Sequence, residues 1–250
     1  MYYTTGLSRE RITDLCASIH AEAAGGRGGW PPILGLFQSV VVTLTYLRRN
    51  RVQAELAETY AVSQSTISRA ITSLTPLIAR LLNPYVPTAD EFDGTVQHVV
   101  DGTLLPCWSW AYRPDLYSGK HKTTGMNVQV ACTLDGRIAW ISDPTPGNRH
   151  DTHCLGKPDI LSAGNPANWI GDKGYVGNHI ITPIKKPAYR ELLDWEKEFN
   201  TQLNKIRWVV EQAIADLKVW RILHTDYRRP ITTFNTTISA VIALYFYAAA

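Results

Sequence analysis

The sequence predicts an α/β protein in two parts, because the spacing of its apolar residues changes partway along the chain. Apolar residues recur at helical intervals through residues 1–83, which predicts an all-helical domain. Residues 84–95, which begin PYVPTADEFDG, break that pattern and are typical of a linker. Strand-like segments and then long helices follow over residues 96–250, which predicts a mixed sheet with helices packed against it.

The composition is that of an ordinary globular chain, with 45% hydrophobic and 19% charged residues. The net charge of +3 does not by itself indicate a nucleic-acid partner. Residues 1–80 are more basic than the rest, with eight Arg, no Lys and five acids. The four cysteines are scattered and form no CxxC pair, which argues against a structural zinc site and favours the reduced cytoplasm.

Neither end of the chain predicts a membrane partner. Residues 1–11 lack the apolar stretch of a signal peptide. Residues 231–250 are apolar but contain several Thr residues, Asn235 and Ser239, so we interpret them as a buried core helix.

The helical domain begins with two predicted helices. Residues 9–24 have helical spacing, with Ser8 as a candidate N-cap. The glycine-rich stretch 25–29 breaks the pattern, and Pro31 and Pro32 suit the first turn of a helix that continues through 34–49.

Residues 52–82 predict a helix-turn-helix. A short helix over 52–60 is followed by the turn AVS and by a longer helix over 64–82, which Ser63 is placed to cap. In such a motif the start of the second helix faces the major groove of DNA. An ordinary helical hairpin with a polar surface is the alternative, but short polar side chains replace the usual Glu/Lys-rich face. The candidate DNA-contacting residues are Gln64, Ser65, Thr66, Ser68 and Arg69.

The second domain begins with strands. Residues 97–105, 127–133 and 137–142 have strand patterns, and Asp135-Gly136 between the last two is a hairpin turn signal. Residues 169–171 form a short fourth strand. Helices are predicted over 192–220 and 231–248.

Three acids in this domain stand in apolar surroundings. Asp101 follows two valines inside the first strand, Asp172 follows the short strand WIG, and Glu211 follows two valines within a long helix. A strand-end turn, a loop acid and a solvated helix face would explain them one by one. Together they meet the requirement of two-metal phosphoryl transfer for carboxylates that converge from separate elements. Carboxylate and water oxygens are also the ligands that Mg²⁺ prefers.

Several polar residues are candidates to support these acids. Arg207, Glu211 and Lys218 have the spacing of one helix face, although a surface salt-bridge stripe would explain the first two. Lys120 and Lys122, in YSGKHK, are candidate phosphate contacts, with a solvated charged loop as the alternative. Asp151, in NRHDTH, is a candidate loop-ordering acid. Trp108 and Trp110 are better explained by core packing than by base stacking.

The order of these motifs resembles a known family. VVDGT, YSGKHKTTGMNVQV, PGNRHD, GDKGY and R-x3-E-x6-K follow one another as in bacterial insertion-sequence transposases of family five, which belong to the DDE superfamily with the Harbinger transposases. The likeness spans nearly the whole chain and implies a ribonuclease-H-like catalytic core. It places the metal-binding triad on Asp101, Asp172 and Glu211, and the accompanying basic residues on Arg207 and Lys218. Many relatives have Tyr where this chain has Asn204. The resemblance therefore does not identify which residue makes the contacts of that Tyr.

The resemblance implies a DNA transposase. Such an enzyme binds terminal inverted repeats, hydrolyses the transposon ends to expose 3′-OH groups and joins these to target DNA, with two Mg²⁺ (or Mn²⁺) ions and no covalent intermediate. We expect double-stranded DNA as partner, a homodimer on DNA, and a place at the bacterial nucleoid in the cytoplasm. The alternatives are a transposase-derived DNA-binding regulator and a structure-specific nuclease with the same core.

Overall fold

The computed structural model describes residues 1–23, 29–88, 91, 93–108, 112–149, 154, 160 and 165–250. They form two compact units, Met1–Val86 together with Leu217–Ala250, and Pro87–Asp216. The helices are α1 (Tyr2–Thr5), α2 (Arg9–Glu22), α3 (Gly35–Arg49), α4 (Gln53–Thr59), α5 (Gln64–Leu82), α6 (Asp194–Leu217) and α7 (Phe234–Ala249). The strands are β1 (His98–Pro106), β2 (Tyr117–Ser118), β3 (Thr123–Thr133), β4 (Ile138–Ile141), β5 (Thr145–Pro146) and β6 (Trp169–Ile170).

These units differ from the predicted domains at the C-terminus. The sequence pattern assigned residues 217–250 to the α/β domain, whereas α7 packs along α5 in the helical unit. Polar contacts hold the preceding segment there as well. Asn50 ends α3 in the left-handed conformation and donates its amide to Thr225 Oγ1 over 2.7 Å, while Arg228 donates to the Asn50 carbonyl over 2.8 Å. Helical spacing predicts an apolar face but not which neighbour covers it, so the sequence pattern did not show this assignment.

The two ends of the chain meet within the helical unit. Arg11 on α2 donates to the Tyr247 carbonyl over 2.6 Å, and the Tyr247 hydroxyl donates back to the Arg11 carbonyl over 3.2 Å. Gly6 ends α1 with φ +80°, and a Cβ there would lie 3.0 Å from the Trp220 ring. Only glycine meets both conditions, the backbone conformation and the close approach, without strain.

The C-terminal helix α7 is largely a core element. Among the described residues, one helical segment, Ile231–Ala249, is long and apolar enough to cross a membrane by length and composition, and half of it is buried inside the protein. Phe234, Ile238, Val241 and Leu244 are fully buried. This burial is what we expect of the predicted core helix.

The second unit is built on a mixed sheet whose central strands are β3 and β1. They pair antiparallel along their length, from His98 opposite Thr133 to Pro106 opposite Gly125. On the far side of β3 lie β2, β4 and β5, all antiparallel to it. On the far side of β1 lies β6, in parallel, followed by a parallel bridge from Ile170 to Ile181. The mixed sheet, its long helix and the helical N-terminal region confirm the predicted fold class.

One face of this sheet packs a core of its own. Val100 on β1, Ala131 on β3 and Trp169 on β6 are buried together with Tyr175 and Ile180. Because side chains alternate along a strand, the neighbours of Val100, namely Val99 and Asp101, point to the opposite face. Both faces of β1 are buried, and Asp101 lies on the face opposite Val100, between the buried Val99 and the buried Val130 of β3.

Helix α6 is fixed at its start by a buried acid. Glu196 accepts two hydrogen bonds from the Arg190 guanidinium and one from the Leu193 backbone N–H, each 2.7 Å long. These bonds hold the pKa of the Glu196 carboxyl at about 2. One turn further, the Asn200 amide exchanges hydrogen bonds of 2.7 and 3.0 Å with both backbone groups of Ile184.

We predict that the Glu196 contacts stabilise the fold above about pH 4 and not near pH 2. A depressed folded-state pKa contributes stability above the unfolded-state value, which is about 4.3 for Glu, and this contribution is lost as the pH falls to about 2. Glu196→Gln should lower the free energy of unfolding at pH 7, and the difference from wild type should vanish near pH 2.

Urea unfolding at a series of pH values measures this difference. Glu191→Gln is the matched control, because Glu191 forms an exposed ion pair with Lys186 in the same segment and such pairs contribute little. A Glu196→Gln protein as stable as wild type at pH 7 would contradict the prediction.

Candidate active site and nucleic-acid interface

Asp101 and Asp172 lie side by side because their strands run in parallel. Val99 on β1 is the partner of Ile170 on β6, and each acid lies two residues beyond its member of that pair. Asp172 keeps an extended backbone, with φ −80° and ψ −178°, so its side chain remains on the face that carries Asp101. The structure thus brings two of the three predicted acids together.

The close backbone at Gly171 keeps Asp172 in this position. A Cβ at Gly171 would lie 2.7 Å from Ile180 and 2.9 Å from Tyr175, so no larger residue fits without displacing the core. Asp172 then accepts a 2.7 Å hydrogen bond from the Gly174 N–H and caps the short 3₁₀ turn Lys173–Tyr175. The GDKGY motif is therefore a strand end followed by a capped turn.

A buried polar contact anchors that turn to the central strand. The Tyr175 hydroxyl donates to the Gln129 side-chain oxygen, and Gln129 lies fully buried on β3. The Gln129 backbone N–H in turn donates to Ser142 Oγ over 2.9 Å. Sequence reasoning missed Gln129 and Tyr175. A Gln within the apolar strand NVQVACT was the available signal, since a buried amide needs a partner.

Asp101 is a recessed carboxyl beside a like charge. Its side chain is 18% exposed, and its Oδ1 accepts a 2.9 Å hydrogen bond from the Gly102 N–H. Burial is the main reason that the pKa of Asp101 is raised to about 6, and the nearby Asp172 carboxylate raises this pKa further. The Arg207 guanidinium and Lys120 act in the opposite direction and lower it. The rise therefore comes mainly from burial of the carboxyl, and a divalent cation bound beside it would favour the charged form.

Arg207 on α6 is the cation closest to this pair of acids in the part of the chain that the structure describes. Its Nη2 lies 3.9 Å from Asp101 Oδ2, and its side chain is 14% exposed. Asn204, one turn earlier, accepts a 3.4 Å hydrogen bond from Arg207 Nη1. Asn204 thus helps to orient the Arg207 guanidinium. This gives residue 204 a role in the site although it is not the Tyr that many relatives have at this position.

Glu211 lies one helical turn beyond Arg207 on α6 and is exposed. Across the described ranges, no three His, Cys, Asp or Glu side chains are grouped closely enough to hold a metal ion. The oxygen donors of Asp101 and Asp172 nevertheless fit Mg²⁺ or Mn²⁺ by their chemistry. Glu211 is a further carboxylate on α6, and its spacing of four residues places it on the same face of the helix as Arg207.

The predicted supporting residues have different surroundings. Lys120 and Lys122 are exposed at the turn between β2 and β3, and Lys120 is close enough to affect the Asp101 carboxyl. Lys218 directly follows the last residue of α6, Leu217, and is partly exposed. Burial lowers the pKa of the Lys218 ammonium. Asp151 lies outside the described residues.

The predicted burial of the two tryptophans is wrong for the one that the structure describes. Trp108 is 52% exposed, and Trp110 lies outside the described residues. Strand β1 ends at Pro106, so Trp108 is beyond the alternating positions that the prediction assumed.

The helix-turn-helix has the predicted elements, with the second helix, α5, spanning the predicted residues 64–82. Ser63 caps α5 by accepting a 3.3 Å hydrogen bond from the Thr66 N–H. Ala61 makes the turn in the left-handed conformation, with φ +51°. Gln64, Ser65 and Arg69 are exposed and Ser68 is partly exposed, so these side chains are available to DNA.

Thr66 corrects the predicted recognition surface. It is only 5% exposed, and its hydroxyl lies 2.9 Å from Ser63 Oγ and 3.4 Å from Arg69 Nη2. Its place one turn before Ala70 on the buried side of α5 accounts for this. Thr66 therefore orients the cap and Arg69 and does not face a groove itself.

Comparison with known proteins identifies both parts of the chain. Residues 100–245 match the family model described as DDE superfamily endonuclease, and residues 33–84 match that of the helix-turn-helix of DDE superfamily endonuclease. These ranges contain Asp101, Asp172 and Glu211 in one case and α4 and α5 in the other. No solved structure matches the chain.

Two relatives match along most of their length. The chain is 29% identical over 222 residues to the "Putative transposase for insertion sequence element IS112" of Streptomyces albus G, covering 88% of this chain and 83% of that protein. It is 25% identical over 258 residues to the "Probable transposase for insertion sequence element IS702" of Microchaete diplosiphon, covering 97% and 92%.

Proposed function

The chain belongs to the DDE superfamily endonucleases, and on this premise we propose that it is a DNA transposase of the insertion-sequence family five type. It binds terminal inverted repeats, cleaves the DNA ends to expose 3′-OH groups and joins these to target DNA. The observation that carries this proposal is that Asp101 and Asp172 each lie two residues beyond the parallel β1–β6 pair Val99–Ile170. Both acids lie on one face beside Arg207.

In the proposed reaction, Asp101, Asp172 and Glu211 hold two Mg²⁺ or Mn²⁺ ions. When bound, such ions activate water or a 3′-OH and stabilise the leaving oxygen. Arg207 balances the charge of Asp101 and is itself oriented by Asn204. Lys120 and Lys122, exposed at the β2–β3 turn, bind the DNA backbone near Asp101. Lys218 is a proposed supporting residue on the strength of the family resemblance, and Asp151 is proposed as an acid that orders its loop.

The proposed DNA contacts begin at α5. The exposed Gln64, Ser65, Ser68 and Arg69 stand at the start of a capped helix, the part of such a motif that enters the major groove. Both relatives carry the name of transposase, which supports DNA as the partner. We place the protein in the bacterial cytoplasm, at the nucleoid where its substrate lies.

We predict that replacing Asp101, Asp172 or Glu211 with Ala lowers cleavage of end DNA by more than about 100-fold, since even outer contacts of a metal site are worth 10- to 100-fold. Binding to the ends should survive, because recognition lies in the helix-turn-helix. Replacing Mg²⁺ with Ca²⁺, which accepts oxygen ligands in looser geometry, should preserve binding and suppress cutting.

A cleavage and joining assay on labelled end DNA measures both steps. Asp216→Ala is the matched control, an exposed acid on α6 outside the proposed triad. Normal cleavage by the Asp172→Ala protein would refute the assignment. Cutting without joining would indicate a nuclease, and binding alone would indicate a regulator.

We predict that Arg69→Ala weakens binding to end DNA by about 5- to 150-fold, the worth of one good side-chain contact to a base. A loss at one base pair would identify a guanine contact, and a uniform loss would identify a phosphate contact. Arg80→Ala is the matched control, because Arg80 lies in the last turn of α5 and pairs with Glu22 at 2.9 Å. Unchanged affinity after replacing both Gln64 and Arg69 would mean that another element reads the DNA.

We predict that two chains act together on DNA. A transposon has two ends, one chain supplies one triad, and a closed two-fold pair is the commonest assembly. Light scattering of the protein mixed with end DNA should give two chains for two ends. One chain bound to one end and still able to join both ends would exclude the dimer.

A further inference from the structure

Residues 225–230 lie beside the helix-turn-helix, although they follow the whole α/β unit in the chain. Arg229 Nη2 donates a 2.7 Å hydrogen bond to Thr72 Oγ1 on α5, from a position 157 residues later in the sequence. The helix-turn-helix ends with α5 at Leu82. The fold of the helical unit therefore adds a guanidinium to α5 that the motif itself does not contain.

The contact is made on the exposed face of α5. With about 100° of rotation per residue, Thr72 lies about 20° around the helix from Ser65 and about 60° from Arg69. All three side chains are exposed. Arg229 therefore joins the surface on which the candidate DNA-contacting residues lie.

Other contacts hold residues 225–230 in place. Tyr227 is fully buried and its ring stacks on Phe234, with the ring centroids 4.3 Å apart. Arg228 donates to the Asn50 carbonyl over 2.8 Å. Arg229, in contrast, is partly exposed and bonds only an exposed hydroxyl on α5. Its guanidinium is therefore held at the surface of α5 and is still available to a partner.

The helix-turn-helix has few cations of its own. Residues 52–72 contain one cation, Arg69, and two acids, Glu55 and Glu58. Much of the affinity of a protein for duplex DNA comes from cations that neutralise phosphates, so this motif needs positive charge from elsewhere in the fold. Within the described ranges, no carboxylate lies at ion-pair distance from Arg229, so the protein itself does not neutralise this cation.

The distance along α5 places Arg229 at the edge of the groove. Thr72 lies about 10 Å along the helix axis from Ser65, at about 1.5 Å per residue. The major groove is about 8.5 Å deep. When the first turn of α5 reaches the base edges, a side chain about 10 Å further along therefore lies at the level of the phosphates. A guanidinium there has the planar donor geometry that matches phosphate oxygens.

We propose that Arg229 is a phosphate-binding residue of the DNA interface, which holds the sugar–phosphate backbone at the edge of the groove that α5 enters. This inference rests on the proposed binding of DNA by α5. It assigns to Arg229 affinity and the register of α5 on the duplex, whereas the sequence is read by α5.

The test measures binding of the full chain to two duplexes over a range of salt concentrations. One duplex is the end DNA that flanks the gene, and the other has an unrelated sequence. Arg229→Ala should weaken binding to both by the same factor, about 8-fold in about 0.1 M salt, and the difference should vanish near 1 M. The slope of log affinity against log salt should become shallower by about 0.9, the value of one phosphate contact. Arg229→Lys keeps the charge and should restore most of the affinity and the slope.

Arg80→Ala is the matched control, because Arg80 is exposed in the last turn of α5 and pairs with Glu22 at 2.9 Å. It should keep the wild-type slope. The inference is overturned if Arg229→Ala binds both duplexes with wild-type affinity and slope, or weakens binding to the end DNA alone, which would indicate a base contact. A lower melting temperature with an unchanged slope would assign Arg229 to the fold and also overturn it. A wild-type protein that binds neither duplex overturns the proposed function itself, and this inference with it.

Discussion

The parallel pairing of β1 with β6 is the constraint on which the candidate site depends. Register between two parallel strands fixes which residues stand side by side, and here it aligns Asp101 with Asp172 on one face. A shift of one residue would turn either carboxylate into the packed face that contains Val100 and Trp169. The close approach at Gly171 and the buried Tyr175–Gln129 hydrogen bond make that shift costly, so the packing core on one face maintains the acids on the other.

The placement of the acids has an electrostatic cost that the fold only partly offsets. Burial and the neighbouring Asp172 raise the pKa of Asp101 to about 6, and Arg207 approaches no closer than 3.9 Å. Arg207 is itself incompletely satisfied, because its buried Nε has no hydrogen-bond partner. Shifted pKa values and unsatisfied buried groups are more common at functional sites than in packed cores. The unfavourable local charge is thus itself an argument for function over packing.

Features that depend on residues close together in the sequence were predictable, whereas the packing of one element against another was not. The Ser63 cap and the span of α5 follow from side chains within a few residues, and the acid after two valines located Asp101 on β1. Thr66 shows where this reasoning stops. A short polar residue near a helix start predicts exposure, but its burial depends on how α5 packs. The same limit applies to residues 217–250, whose apolar face was evident while its partner, α5, was not.

Helix α6 is positioned by contacts near its start, and its helical repeat then places its later residues at the site. Its start is fixed by the Arg190 contacts of Glu196 and its second turn by the Asn200 amide on Ile184, so the position of Arg207 follows from contacts made well before it. A rigid helix transmits that position to every later turn. Arg207 is therefore directed to Asp101, while the helical repeat places Glu211 one turn later, where it is exposed.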